Sequence, residues 1–311
     1  MASNPLTIIP VPGQGAEDVL VDPTGHVWTG TDDGSLWRID PASGRIEHVA
    51  RTGGRPLGLE WLPDGRVLVC DADRGLLAVD AAASERARVE RLVGEVDGSP
   101  MLFCNNAAVA ADGRIFFSDT SRHYSVHQWK ADLLEATCTG RLLVRHPDGT
   151  VDTLLDGLEF ANGVALAADE SYVAVAETGA RTVVRLWLGG PSAGTRDLLA
   201  DELPGYPDNI ARGSDGLIWV ALASPRDPVV ETLKSGPALL RKAAWRLPER
   251  VQPKPQRTVH VQALDDAGTV VHDCEREAGD WHMATGVREH EGRVWLGSLV
   301  EPAIGWFDLA G

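Results

Sequence analysis

GSDGLIWVAL, residues Gly213–Leu222, holds the pattern that decides the fold: a polar turn closed by Asp-Gly, then a short run of aliphatic, aromatic and β-branched residues. The unit recurs as DPTGHVWTG (Asp22–Gly30), LPDGRVLVC (Leu62–Cys70), AADGRIFFS (Ala110–Ser118), AADESYVAVA (Ala167–Ala176) and HEGRVWLGS (His290–Ser298). With Gly25, Gly65, Gly113, Glu170, Gly216 and Gly292 as landmarks, the six copies step by 40, 48, 57, 46 and 76 residues.

Each turn lies between two strands, an apolar run before it (LGLEWL, GVALA, NIAR) and a β-branched or aromatic run after it. A third strand commonly follows, as in GSLWRID at Gly34, RGLLAVD at Arg74, GRLLVRH at Gly140, TVVRLWL at Thr182 and AIGWFDL at Ala303. Repeats of this length built from short antiparallel strands are radial blades, and six of them make an all-β, six-bladed β-propeller. The competing reading is a β-sandwich with chance Asp-Gly turns. LTIIPV, near the N-terminus, has no turn partner before it and is expected to supply the missing strand of the blade ended by AIGWFDL, hiding both sheet edges.

The chain reads as one domain, residues 1–311, broken by two insertions at about 121–140 and 225–257, both expected over the channel mouth. The first should hold a short helix around ADLLEA. In the second, Leu239, Leu240, Ala243, Ala244 and Leu247 share a helical face, which suggests a helical cap that shapes a pocket or merely covers one.

With 43% hydrophobic residues, a chain of 311 residues can bury a large core. Its net charge of -16 argues against nucleic acid as a partner and agrees with either a cation site or a solvated acidic surface. No stretch approaches a membrane span, and MASNPLTIIPVPG turns to Pro and Gly too early for a signal sequence. Cys70, Cys104, Cys138 and Cys274 have no zinc spacing and read as reduced, mostly buried thiols of a cytoplasmic protein. Oligomeric state is not encoded legibly.

In a propeller the innermost strand of each blade lines a central channel, so residues just before each turn-proximal apolar run converge although distant in sequence. The polar ones are Glu17, Asn105, Asn106, Asn162, Asp208 and Asn209. Taken singly, Asn162-Gly163 is a hairpin signal, Asp208 a turn residue and Glu17 a surface acid. Four blades placing such a residue at the same point of the repeat suggest an oxygen-rich site suited to one Ca2+ ion, with another divalent metal possible.

Several stretches are similar to the strictosidine synthase-like family: FFSDTSRHYS (Phe116–Ser125), ADLLEATCTGRLL (Ala131–Leu143), LLDGLEFANGVALAADESYVAVAETGARTVVRLWLGG (Leu154–Gly190), DELPGYPDNIARGSDGLIWVAL (Asp201–Leu222) and HMATGVREHEGRVWLGSLVEPAIG (His282–Gly305). The resemblance runs from about Gly15 to Asp308. It places the chain with the six-bladed propellers that include senescence marker protein 30, gluconolactonases, paraoxonases and diisopropyl fluorophosphatase. In those hydrolases a Glu, two Asn and an Asp from separate blades bind calcium, and the resemblance assigns these roles to Glu17, Asn105, Asn162 and Asp208. Asn209 resembles a further ligand of paraoxonases. One departure bears on function. True strictosidine synthases carry a catalytic Glu in the segment leading into the last repeat, whereas this chain has Met283, Ala284 and Thr285 there and no carboxylate between Asp280 and Glu289. The condensation the family is named for then lacks its proton carrier.

The reading expected from these residues is a calcium-dependent hydrolase of lactones or aryl esters acting on a small molecule, with Asp208, His123 or His282 as the candidate base. The alternatives are a carbon-nitrogen bond-forming enzyme using another acid such as Glu177 or Glu301, and a non-catalytic propeller that binds a small molecule. There is no GxSxG elbow.

Overall fold

The computed structural model describes residues 5–81, 87–248, 250, 252, 254–277, 279 and 281–309. The repeat unit becomes one blade each time. Six four-stranded antiparallel sheets are present among these residues, with inner strands Leu20–Val21, Pro56–Trp61, Cys104–Val109, Ala161–Leu166, Gly205–Arg212 and Ala284–His290 for blades 1 to 6. This is the six-bladed β-propeller expected from the repeats.

The landmark residues explain the repeat physically. Gly25, Gly65, Gly113, Gly216 and Gly292 all adopt φ between 80° and 86°, the left-handed region where a Cβ is costly, and Glu170 takes the same place at φ 56°. Glu170 is held there from outside its own blade, because its Oε1 accepts the Ala111 N–H of the neighbouring turn at 2.7 Å. Alternate strand residues then face the blades on either side. Buried Leu, Val and Ala from adjacent sheets, with Phe116 and Phe117 fully enclosed, make the core a series of blade-to-blade interfaces.

The N-terminal strand Thr7–Pro10 pairs antiparallel with Ala303–Asp308 as the outermost strand of blade 6, so the first and last parts of the described chain close the ring together. The expectation for LTIIPV holds. The fourth strands of the other blades, such as Arg88–Val93 and Val151–Leu158, carry no repeat signature because half or more of their side chains face solvent.

Both insertions are helical. The first contains a 3-10 turn, Val126–Gln128, running into helix α1, Trp129–Glu135, where ADLLEA was expected to form one. The second contains α2, Pro228–Ser235, and α3, Ala238–Ala244, while positions 249, 251 and 253 lie outside the described residues. α2 starts where Asp227 accepts the Val229 and Val230 N–H groups at 2.7 and 3.3 Å and Pro228 occupies the first turn. The shared apolar face expected of the second insertion is not buried: no residue of α3 is, and Leu239, Leu240 and Leu247 are 81%, 59% and 50% exposed. The element that seals the insertion is α2 instead, whose Val230 packs with Leu134 and Tyr206. Trp245 Nε1 and Tyr124 OH both donate to Glu135 Oε1, at 2.7 and 2.9 Å, and Lys234 pairs with Glu159 at 2.6 Å, tying the insertions to each other and to the rim of blade 4.

Candidate metal centre

Every inner strand from blade 2 to blade 6 shifts register just after it starts, between Pro56 and Leu59, Cys104 and Ala107, Ala161 and Val164, Pro207 and Ile210, and Ala284 and Val287. The two residues inside each shift leave the ladder and turn toward the axis, which is how a bulge re-aims side chains. The first of each pair are Leu57, Asn105, Asn162, Asp208 and Thr285, and Glu17 holds the matching place before Leu20 in blade 1. The second are Gly58, Asn106, Gly163, Asn209 and Gly286, with Asp18 in blade 1. Two stacked rings of six result.

The second ring alternates large and glycine around the axis, and the alternation is steric. A Cβ at Gly58 would stand 2.7 Å from Asn106 Cα, one at Gly163 2.6 Å from Asn209 Cα, and one at Gly286 2.6 Å from Asp18 Cα. Two of the large members lock the next blade: Asp18 Oδ2 accepts the Leu59 N–H at 2.9 Å, and Asn106 Oδ1 accepts the Val164 N–H at 3.0 Å. Asn209 breaks this habit. Its Nδ2 donates to Glu17 Oε1 at 3.1 Å, and its Oδ1 has no partner.

The first ring carries the chemistry. Asn105 Nδ2 donates to Thr120 Oγ1 at 2.9 Å, and Thr120 Oγ1 donates onward to the Ala161 carbonyl at 2.7 Å. Asn162 Nδ2 donates likewise to Thr178 Oγ1 at 3.1 Å, which donates to the Pro207 carbonyl at 2.6 Å. A hydroxyl has one proton, and in both cases a carbonyl takes it. The threonine can therefore only accept from the amide, and each Asn must turn its NH2 outward and its Oδ1 inward. Asn105 Oδ1, Asn162 Oδ1, Asn209 Oδ1 and Glu17 Oε2 are buried oxygens without a hydrogen-bond partner. Stranded buried oxygens of this kind are costly unless something binds them.

Electrostatics point the same way. Burial, followed by repulsion from Asp208 and Asp18, holds the Glu17 carboxyl well above the ordinary carboxylate range. Burial pushes Asp208 up to about 7 against the opposing Asn162 amide, and pushes Asp18 up to about 6 against the nearby Arg288. Arg55, buried beside Glu17, offsets part of this negative field. No cluster of three His, Cys, Asp or Glu of metal-binding type occurs among the described residues. The donor set here is carboxylate and amide oxygen, which fits a hard cation and not a soft one.

The ring forms the floor of a pocket. Glu17, Asn105, Asn162 and Asp208 line it on the ring side, and most of its wall is apolar, with Phe103, Phe160, Tyr206 and Met283, each two residues before a ring position, and Trp129 of α1 and Val230 of α2, while Ser224, Asp227 and Gln252 add polar groups. Asp208 keeps part of its surface open, whereas Glu17, Asn105 and Asn162 are 2–3% exposed. Asn209 lies beneath Glu17 and does not line the pocket.

The histidines stand elsewhere. His123 lines a separate recess with Tyr124, Glu135 and Arg241, and His282 Nδ1 meets Glu301 Oε1 at 2.5 Å outside the pocket lining. Glu177 is engaged by the Glu159 N–H and Thr182, and Glu301 by His282 and Arg257. Neither lines the pocket. Asp18, Thr120 and Thr178 were not among the residues picked from the sequence. The signal for the threonines was present as an acid-Thr pair closing the second strand of blades 3 and 4, Asp119-Thr120 and Glu177-Thr178.

Residues 27–242 match the family described as SMP-30/Gluconolactonase/LRE-like region, and residues 5–39 match Strictosidine synthase-like, N-terminal. Protein strictosidine synthase-like 10 of Arabidopsis thaliana is 35% identical, over 95% of this chain and 85% of its own. The human adipocyte plasma membrane-associated protein is 32% identical, over 93% and 75%. Among solved structures, a gluconolactonase from Xanthomonas campestris superposes with a TM-score of 0.70 at 16% identity, covering 99% of this chain and 90% of that one. A calcium-binding regucalcin from Agrobacterium tumefaciens gives 0.66 at 15% identity, covering 96% and 91%. The chain belongs to the strictosidine synthase-like family, within the SMP-30 and gluconolactonase group of six-bladed propellers.

Proposed function

We propose that the chain is a calcium-dependent hydrolase of lactones or aryl esters working at the channel mouth. The observation that carries this reading is the set of four buried, unpartnered oxygens on Glu17, Asn105, Asn162 and Asn209, two of them aimed inward by threonine relays. Glu17, Asn105, Asn162 and Asp208 would hold the ion, with Asn209 contributing from the layer below. Bound there, calcium supplies Lewis-acid polarisation of an ester carbonyl and charge for the oxygen that becomes negative during attack.

The rest falls to the chain. Phe103, Phe160, Tyr206 and Met283 exclude water from the acyl or aryl portion and orient it. Asp208 is the ring carboxylate open to the pocket, so its Oδ atoms are the acceptors proposed for the proton of the attacking water. His282 and His123 are kept from that role by their places outside the lining. Free thiols at all four cysteines agree with work in a reducing compartment such as the cytoplasm, and no described helix is long and apolar enough to cross a membrane.

The relatives' name raises carbon-nitrogen condensation as a second reading. Against it, blade 6 offers Thr285 at the ring, and Glu177 and Glu301 are engaged away from the pocket. A panel of lactones and aryl esters, assayed with calcium and again with excess chelator, decides between the readings. Turnover that chelator abolishes and calcium restores is expected. Condensation of an amine with an aldehyde that ignores chelator would replace the hydrolase reading, and binding without turnover would leave a binding propeller.

A further inference from the structure

Two cations line this pocket, and the proposed chemistry at the ring does not use them. Lys130 of α1 and Lys254, in the stretch that leaves the second insertion, both line it, and neither forms an ion pair among the described residues. Lys130 instead lies 5.6 Å from the Trp129 ring centroid. Apart from Glu17 and Asp208 of the ring, the carboxylate lining the pocket is Asp227, which caps α2 through Oδ1 and keeps its charge. In a chain of net charge -16, two lysines against the one carboxylate of Asp227 make this wall of the pocket locally positive.

The pocket is thus layered: an oxygen floor, a collar of Phe103, Phe160, Tyr206 and Met283, and a cationic rim. We propose that the substrate class is an amphipathic anion, an ester or lactone whose apolar acyl or aryl body fills the collar and whose far end carries a carboxylate or similar anionic group held by Lys130 and Lys254. This rests on the hydrolase reading for the ester or lactone, and on the pocket alone for the anion.

Two measurements separate these dependencies. In the first, the full chain with calcium hydrolyses 4-carboxyphenyl hexanoate and phenyl hexanoate, and the ratio of their kcat/KM values is taken. Each partly exposed charge contact contributes a few-fold, so a preference of about tenfold for the anionic ester is expected. It should fall to about one in Lys130→Gln/Lys254→Gln and return in Lys130→Arg/Lys254→Arg. In the second, decanoate is titrated with the quenching of tryptophan fluorescence as readout, which needs no turnover. Binding weakened about tenfold in the glutamine variant is expected, and if no ester is turned over this result still supports the anion site while the hydrolase reading fails. Equal kcat/KM for both esters in the native chain, a preference the glutamine variant retains, or decanoate binding that ignores the substitutions would overturn the proposal.

Discussion

Thr120 and Thr178 decide which end of an asparagine faces the axis. Each spends its proton on a carbonyl of the next blade, at 2.7 and 2.6 Å, and so compels Asn105 and Asn162 to present oxygen inward. Replacing either with Val removes the acceptor for the amide NH2 and frees the amide to flip. Loss of such an outer-shell orienting bond weakens a metal site by about 10–100-fold. Thr120→Val and Thr178→Val are therefore expected to weaken calcium binding in a calorimetric titration by at least about tenfold, with Thr120→Ser and Thr178→Ser close to the native chain. Unchanged affinity in the valine variants would mean that the amide oxygens are not ligands. Glu17, Asn105, Asn162 and Asp208 could be brought to one ring from the sequence because the repeat gives each blade the same coordinate system, whereas Asp18, one residue on from Glu17, was passed over. The threonines left only the weak acid-Thr pairs Asp119-Thr120 and Glu177-Thr178, because their role depends on a carbonyl in the neighbouring blade that is distant in sequence.

At the scale of the element, the turn aspartates stabilise the blades through hydrogen bonds made by their charged form. Asp22 accepts from Thr24 N, Thr24 Oγ1, His26 N and Trp28 Nε1 at 2.8, 2.6, 3.0 and 3.1 Å. Burial alone would raise its pKa, but the bonds from Thr24, Trp28 and His26 outweigh it and the carboxyl lies below its ordinary value. Asp64 and Asp112 are lowered too, chiefly by the Arg66 side chain and by the Arg114 N–H respectively. A carboxyl whose folded pKa is depressed contributes stability that is present above the unfolded value of about 3.9 and is lost as pH falls through the folded one. Denaturant unfolding is expected to show stability declining below about pH 4, with a shallower decline in Asp22→Asn, which keeps an acceptor but does not titrate. Asp22→Ala should cost about 1–3 kcal/mol at neutral pH. A decline of the same steepness in the Asn variant would contradict this assignment. These turns were readable from Asp and Gly, whereas the outer strands were not, because sheet edges facing water have neither alternation nor turn chemistry. The face shared by Leu239, Leu240 and Leu247 was readable and its burial was not: periodicity gives a helix a face, and only tertiary placement gives that face a neighbour.

For the whole molecule, a ring of blades is stable only if closed. Thr7–Pro10 covers the edge of Ala303–Asp308, and Val11 beyond it is buried. Deleting residues 5–11 removes a four-residue ladder, costs roughly 2–4 kcal/mol at about 1 kcal/mol per hydrogen bond, and bares a strand edge that invites self-association. Lower stability to denaturant and a shift to larger species in size-exclusion chromatography are expected, and an equally stable, equally sized variant would show that closure lies elsewhere. Closure also holds six separately encoded residues in one ring, so the site exists only in the completed propeller. In that ring one divalent cation is expected to bind. Calorimetric titration of calcium into the chelator-treated, dialysed full chain tests it most directly. One ion per chain is expected in the native protein, with binding weakened at least about a hundredfold in Glu17→Gln/Asn162→Ala, which removes one ligand charge and one ligand oxygen. No stoichiometric binding, or binding that the double substitution leaves unchanged, would contradict the account.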